Sequence, residues 1–174
     1  MSLSSRILIA NYDPHWPELF AIEADRIRSV LGSRALRVEH AGSTAVPGLI
    51  AKPIIDVLLV VADSAAEDSY LAARTASGYE LRIRESQWYE HRMFKGPHTD
   101  INLHVFSNGC PEIERMVTFR DWLRGNAADR ELYERTKLEL AGKEWVSVQD
   151  YADAKTGIIE KIIQESAAIR NHEK

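Results

Sequence analysis

Residues 54–61, Ile-Ile-Asp-Val-Leu-Leu-Val-Val, place one acid in a run that is otherwise aliphatic. In an extended strand Ile54, Asp56, Leu58 and Val60 share one face, and Ile55, Val57, Leu59 and Val61 share the other. Apolar residues on both faces predict a central strand covered on both sides. An ionised carboxylate in such a strand costs several kcal/mol unless a donor or a metal meets it. Asp56 is therefore expected either at the mouth of the strand, facing a polar site, or paired internally as an anchor for the neighbouring loop.

That loop contains Gly42 and Ser43, which follow a predicted strand over 35–40. Glycine permits close backbone approach and positive φ, so a Gly-Ser pair is able to offer N–H groups and a hydroxyl to phosphate oxygens. A carboxylate on the adjoining strand is able to hold a divalent cation against the same phosphates. Taken singly, the Gly-Ser pair is most often an ordinary turn; with Asp56 thirteen residues after Ser43 it becomes a candidate site.

Working outward, apolar residues recur at helical spacing over 15–31, and Gly32 supplies a stop. Asp63 and Ser64 offer an N-cap for a helix to about Ala76, ended by Gly78. Strands are predicted over 79–84, 88–94 and 100–106, the last two joined as a hairpin through Lys95-Gly96-Pro97-His98. After Pro111 the period becomes helical, with helices predicted over 112–124, 129–141 and 150–170. The fold class is thus α/β (α+β): a mixed β-sheet core over 1–108, with a helical portion over 109–174 packed on it as one compact unit.

The 174 residues have a net charge of −4, with 45% hydrophobic and 28% charged residues, which suits a globular chain and gives no basic field for a nucleic-acid backbone. No nucleic-acid partner is expected. The single cysteine, Cys110, excludes an internal disulfide and a thiolate zinc site. No secretory signal and no run near the ~20 apolar residues of a membrane span are present, so a cytoplasmic chain without a membrane partner is expected.

Several further residues are candidates. Asp100, Asn102 and His104 alternate with Ile101, Leu103 and Val105, which puts three polar groups on one strand face. His104 is able to ligate a metal, act as a general base or hydrogen-bond Asp56, while the plain alternative is a face that meets water. Lys52 precedes the Asp56 strand and is placed to reach a phosphate. Arg92 is a candidate phosphate ligand, with an ion pair to Glu90 as the competing role. Arg120 shares the inward stripe of Ile113, Met116 and Val117, as a clamp to an acid or as a ligand. Lys155 falls with Tyr151, Ile158 and Ile162, and either enters the site or snorkels to solvent. Trp88, Trp122 and Trp145 carry no assignment.

The stretch Glu39-His40-Ala41-Gly42-Ser43-Thr44-Ala45-Val46-Pro47-Gly48-Leu49, followed by Ala51-Lys52-Pro53-Ile54-Ile55-Asp56-Val57, resembles the signature of the GrpB family, a group with a nucleotidyltransferase-like fold. Similar matches are Tyr12-Asp13-Pro14 with Trp16 and Phe20, Leu103-His104-Val105, Phe119-Arg120-Asp121-Trp122-Leu123-Arg124, Tyr133 with Lys137, and Tyr151 with Lys155. The resemblance implies that Gly42 and Ser43 form the phosphate loop of a nucleoside triphosphate. It also implies Mg2+ or Mn2+ as cofactor, with Asp56 and His104 as metal ligands and catalytic residues and an unknown small-molecule acceptor. Leu58 stands where the wider superfamily carries its second metal-binding acid, which leaves at most a partial two-metal clamp; Leu58→Asp is the substitution expected to raise metal affinity. A non-catalytic binding module is the alternative, and a related domain extends some dephospho-coenzyme A kinases. The sequence sets neither the acceptor, the base preference nor the oligomeric state.

Overall fold

The computed structural model describes residues 7–70 and 78–172. Its centre is a five-stranded mixed sheet made of β1 (Arg37–Ala41), β2 (Ile55–Val61), β3 (Glu80–Glu85), β4 (His91–Lys95) and β5 (Ile101–Ser107). Their order is β1-β2-β5-β4-β3. β2 runs antiparallel to β1 and parallel to β5, while β5, β4 and β3 are successively antiparallel. The mixed α+β class and the hairpin of the last two strands agree with the sequence pattern.

The period-two division of 54–61 is realised side by side. Ile55, Val57, Leu59 and Val61 bury against Ala24, Ile27 and Leu31 of α1 (Trp16–Leu31). Leu58 and Val60 pack on the other face with Phe106 and with Ile113 and Val117 of α2 (Pro111–Gly125). Each enclosed aliphatic side chain contributes about 1.5–3 kcal/mol, so a one-residue register slip, which would bring Asp56 to the α1 face, is strongly disfavoured. Among the described residues no helix is long and apolar enough to cross a membrane.

Three boundaries differ from the sequence pattern. Residues 88–90 form a turn in which Tyr89 and Glu90 have φ of 53° and 50°, so β4 begins only at His91. The helix predicted from Ser64 to Ala76 is replaced by a short 3-10 turn, Glu67–Ser69, in its first part, and 71–77 lie outside the described residues. The helix predicted over 150–170 is two: α4 (Val148–Ala154) and α5 (Thr156–His172). The Lys155 N–H turns back to the Ala152 carbonyl, three residues away, and is followed by the weak helix formers Thr156 and Gly157. Between α2 and α4 runs α3 (Ala127–Ala141), whose Tyr133 packs with Val46, Leu49 and Ile162. The helical portion thereby closes over the loop that follows β1.

Candidate functional site

The loop after β1 is fixed by its own polar residues. Thr44 donates its hydroxyl proton to the Ile54 carbonyl at 3.2 Å, so His40, 3.0 Å away, donates to Thr44 from Nε2. Burial pushes the His40 imidazole down to about 4, which keeps it neutral, and Phe20 stacks on it at 4.8 Å. Gly42 has φ 70° and ψ −172°, a conformation essentially reserved for glycine. A Cβ built there would lie 2.4 Å from Asp56 Oδ2. Glycine is thus demanded by the backbone and again by the carboxylate packed against it.

Asp56 opens the floor of a cleft, with 30% of its side chain exposed. It pairs in register with Asn102 on β5, and Leu58 pairs with His104. His104 Nε2 lies 3.3 Å from Asp56 Oδ1, while its Nδ1 lies 3.0 Å from His91 Nε2 on β4. His91 Nδ1 donates to Glu85 Oε2 on β3 at 2.6 Å. The hydrogen bond to Asp56, one of the roles open to His104 in the sequence, is present.

The opposite wall is cationic. The cleft, of about 430 Å3, is lined by Gly42, Ser43, Asp56 and His104 on one side and by Lys52, Lys137 and Lys155 on the other. That volume falls in the range of small-molecule and cofactor sites, about 300–1,000 Å3. Lys52 and Lys155 place Nζ 4.8 and 4.7 Å from the ring centroid of buried Tyr151. The Tyr151 hydroxyl has no hydrogen-bond partner among the described residues. Lys137 is 2% exposed and donates to the Ile50 carbonyl. Among the described residues no carboxylate comes within 4.0 Å of any of these ammonium groups.

Burial and the neighbouring lysines push Lys137 down to about 7. Burial and Lys52 push Lys155 down to about 8. Lys52 is lowered by burial, against the pull of Asp56. Three lysines held near one another with no carboxylate in ion-pair contact, and only the more distant pull of Asp56 and Glu134, form a site for a multiply charged anion, which would lift the mutual repulsion.

Gly42, Ser43, Lys52, Asp56, His104 and Lys155 therefore converge, whereas Arg92 and Arg120 do not. On β4 the cleft face carries Met93, and the period of two sends Arg92 to the other face. There its guanidinium, 3% exposed, pairs with Glu67 at 2.5 Å and Glu90 at 3.1 Å. Arg120 clamps α2 to β1, pairing with Glu39 at 2.7 Å and Asp121 at 2.8 Å and donating to the His40 carbonyl. Both are structural ion pairs.

The divalent-metal centre implied by resemblance does not fit these side chains. Leu58, at the second acid position, is fully enclosed in apolar contacts. Both ring nitrogens of His104 are engaged, and Asn102 Oδ1 already accepts from Lys95 at 3.0 Å. Asp56 is left as the one carboxylate on the floor among the described residues, with no cluster of three acidic, His or Cys ligands around it.

Lys137, Tyr151, His91 and Glu85 were assigned no site role from sequence. Lys137 had a readable signal, since it follows Tyr133 by four residues on the buried stripe of α3. His91 had none, because its facing is set by the pairing of β4 with β5, where Met93 stands opposite His104.

A profile of the GrpB protein family matches residues 6–165. A UPF0157 protein of Halalkalibacterium halodurans is 60% identical over 165 residues, covering 95% of this chain and 85% of that protein. A dephospho-CoA kinase of Mycobacterium tuberculosis is 28% identical over 169 residues, covering 82% of this chain and 42% of the kinase. Among solved structures, the conserved protein GrpB from Enterococcus faecalis superposes with TM-score 0.78 at 32% identity, over 96% of this chain and 100% of that one. The Cid1 poly(U) polymerase, solved with MgGTP bound, gives TM-score 0.53 at 10% identity over 75% of this chain and 43% of the polymerase, a likeness of fold.

Proposed function

This chain belongs to the GrpB protein family, and from that premise we propose that its cleft binds a nucleoside triphosphate, with the phosphates held between the Gly42–Ser43 loop and Lys52, Lys137 and Lys155. The observation that carries the proposal is the set of three cleft lysines with no carboxylate partner within 4.0 Å among the described residues. Ammonium groups drawn wholly (Lys137) or partly (Lys52 and Lys155) out of water with no ion-pair partner destabilise the free protein, and a polyphosphate supplies that partner. The lysines call for a polyanion; the shared fold with a poly(U) polymerase is the reason to try nucleoside triphosphates first.

In this proposal the lysines take over the neutralising role that a two-metal clamp plays elsewhere. Nucleotidyl transfer to a small hydroxyl or amine acceptor is the second activity to consider, and what favours it is Asp56 beside His104 on the cleft floor.

Calorimetric titration with ATP, GTP, CTP and UTP tests the proposal, in magnesium, in manganese and in EDTA. Binding is expected in all three, with affinities within about tenfold of one another. Lys155→Met and Lys52→Met are each expected to weaken it about tenfold or more, as for a lost charge-assisted hydrogen bond of about 1.5–3 kcal/mol. Absence of binding, or binding unchanged in both variants, contradicts it.

A further inference from the structure

Asp56, His104, His91 and Glu85 form one continuous chain of hydrogen bonds across β2, β5, β4 and β3. The links are 3.3 Å (Asp56 Oδ1 to His104 Nε2), 3.0 Å (His104 Nδ1 to His91 Nε2) and 2.6 Å (His91 Nδ1 to Glu85 Oε2). The two imidazole planes are within 15° of parallel. One end, Asp56, lies on the cleft floor. The other, Glu85, has 46% of its side chain in solvent, while His91 between them is 5% exposed.

Each link needs one proton, and the three links share four ring nitrogens and two carboxyl groups. Two neutral imidazoles facing two carboxylates supply only two protons and would leave a link with opposed lone pairs. The chain is complete only with a third proton, on either the imidazole pair or one of the carboxyls. We infer that these four side chains are a proton path joining the cleft floor to solvent, in which Asp56 accepts a proton from whatever hydroxyl or amine is bound beside it, and His91 and Glu85 are positioning residues acting through His104.

The transfer balances. Asp56, once protonated, passes its proton to His104 Nε2; the Nδ1 proton of His104 passes to His91 Nε2; the Nδ1 proton of His91 passes to Glu85. Each bond to hydrogen that breaks is matched by one that forms, and the chain keeps one negative charge, which moves from Glu85 to Asp56. Glu85 then releases the proton to water, which leaves two protons on the chain; both imidazoles return their protons to Nδ1 by ring reorientation, and Asp56, again a carboxylate, takes the next proton from the bound group and restores the third.

The surroundings keep the chain from gaining a fourth proton. Trp88 and Phe106 enclose His91, and Arg92 and His104 add positive potential, so His91 is held below its ordinary value, first by burial. Glu112 on α2 faces His104. Lys52, Lys137 and Lys155 lie near enough to Asp56 for its charge to act on each of them. The inference stands on these side chains and is independent of which anion the cleft takes.

Ligand-free protein labelled with 15N in histidine tests it by NMR over a pH series. In wild type the His91 Nε2 and His104 Nδ1 signals are expected midway between protonated and bare nitrogen, and the two rings are expected to titrate together. Glu85→Gln, at a half-exposed position, is expected to lower the titration midpoint of His104 by about one unit, although Glu85 touches only His91. Asp56→Asn is expected to move His91 in the same direction from the other end. Two rings that titrate as separate imidazoles, or a His104 midpoint that Glu85→Gln leaves in place, overturn the path.

Discussion

Gly42→Ala probes the contact on which the cleft is built. The residue sits at φ 70° and ψ −172°, where a side chain costs about 1–3 kcal/mol. The new Cβ would stand 2.4 Å from Asp56 Oδ2, 0.6 Å inside the 3.0 Å that real Cβ contacts respect (3.0 − 2.4), so the carboxylate must move. Its 3.3 Å contact with His104 is close to the limit of a hydrogen bond, and losing it adds about 0.5–1.5 kcal/mol. Together these predict a loss of about 2–4 kcal/mol, or roughly 5–15 °C in melting temperature for a chain of this size. Equilibrium urea unfolding of wild type, Gly42→Ala, Asp56→Ala and the double variant separates the two parts. Asp56→Ala removes the 2.4 and 3.1 Å contacts and leaves the backbone cost, so the double variant should recover about 1 kcal/mol relative to additivity. A Gly42→Ala cost below about 0.5 kcal/mol, or strict additivity, would refute the packing of Asp56 against the loop.

Other outcomes follow from the same contacts. Lys137 sits at about 7 in the native protein, so at pH 8 it is mostly neutral; an anion raises its pKa, and binding should take up protons and weaken as pH rises above 7, a dependence seen by calorimetry in buffers of different ionisation enthalpy and lost in Lys137→Met. His40 falls from 6.5 to about 4 on folding, so below pH 6.5 the unfolded chain binds the extra proton; stability should fall by up to about 3 kcal/mol between pH 6.5 and 4, and less in His40→Gln, by urea unfolding across that range. Leu58→Asp is expected to cost several kcal/mol without creating a metal-dependent thermal shift, because the new carboxylate enters the apolar cluster of Val60, Phe106, Ile113 and Val117. Arg120→Met removes the clamp from α2 to Glu39 and the His40 carbonyl while Glu39 keeps Arg37 at 2.9 Å, and should cost about 1.5–3 kcal/mol in chemical denaturation while leaving nucleotide affinity near that of wild type.

Local pattern was sufficient wherever one period decided the facing. The run 54–61 announced a doubly covered strand and placed Leu58 with Asp56, and both followed from alternation. The Gly-Ser loop and Lys52 were legible because they adjoin that strand in sequence. Arg92 was misassigned for lack of the register: alternation separates Arg92 from Met93 wherever the strand begins, and the pairing of Met93 with His104 on β5 is what turns Met93 to the cleft and Arg92 away from it. Arg120 was correctly placed on an inward stripe, but whether such a cation meets an acid or a ligand depends on the opposing element, here Glu39 on β1. The lysine wall and the histidine pair are tertiary facts, since they join residues more than eighty apart in one case and two neighbouring strands in the other.

The most direct test of the nucleotide cleft is calorimetric titration of ATP into wild type and into Lys52→Met/Lys155→Met, with EDTA present. Saturable one-to-one binding by wild type and a loss of at least about a hundredfold in the double variant, two charge-assisted bonds at about 1.5–3 kcal/mol each, is the predicted result. Binding that requires a divalent ion and ignores the lysines would contradict it, and would return the role of charge neutralisation to a metal held at Asp56.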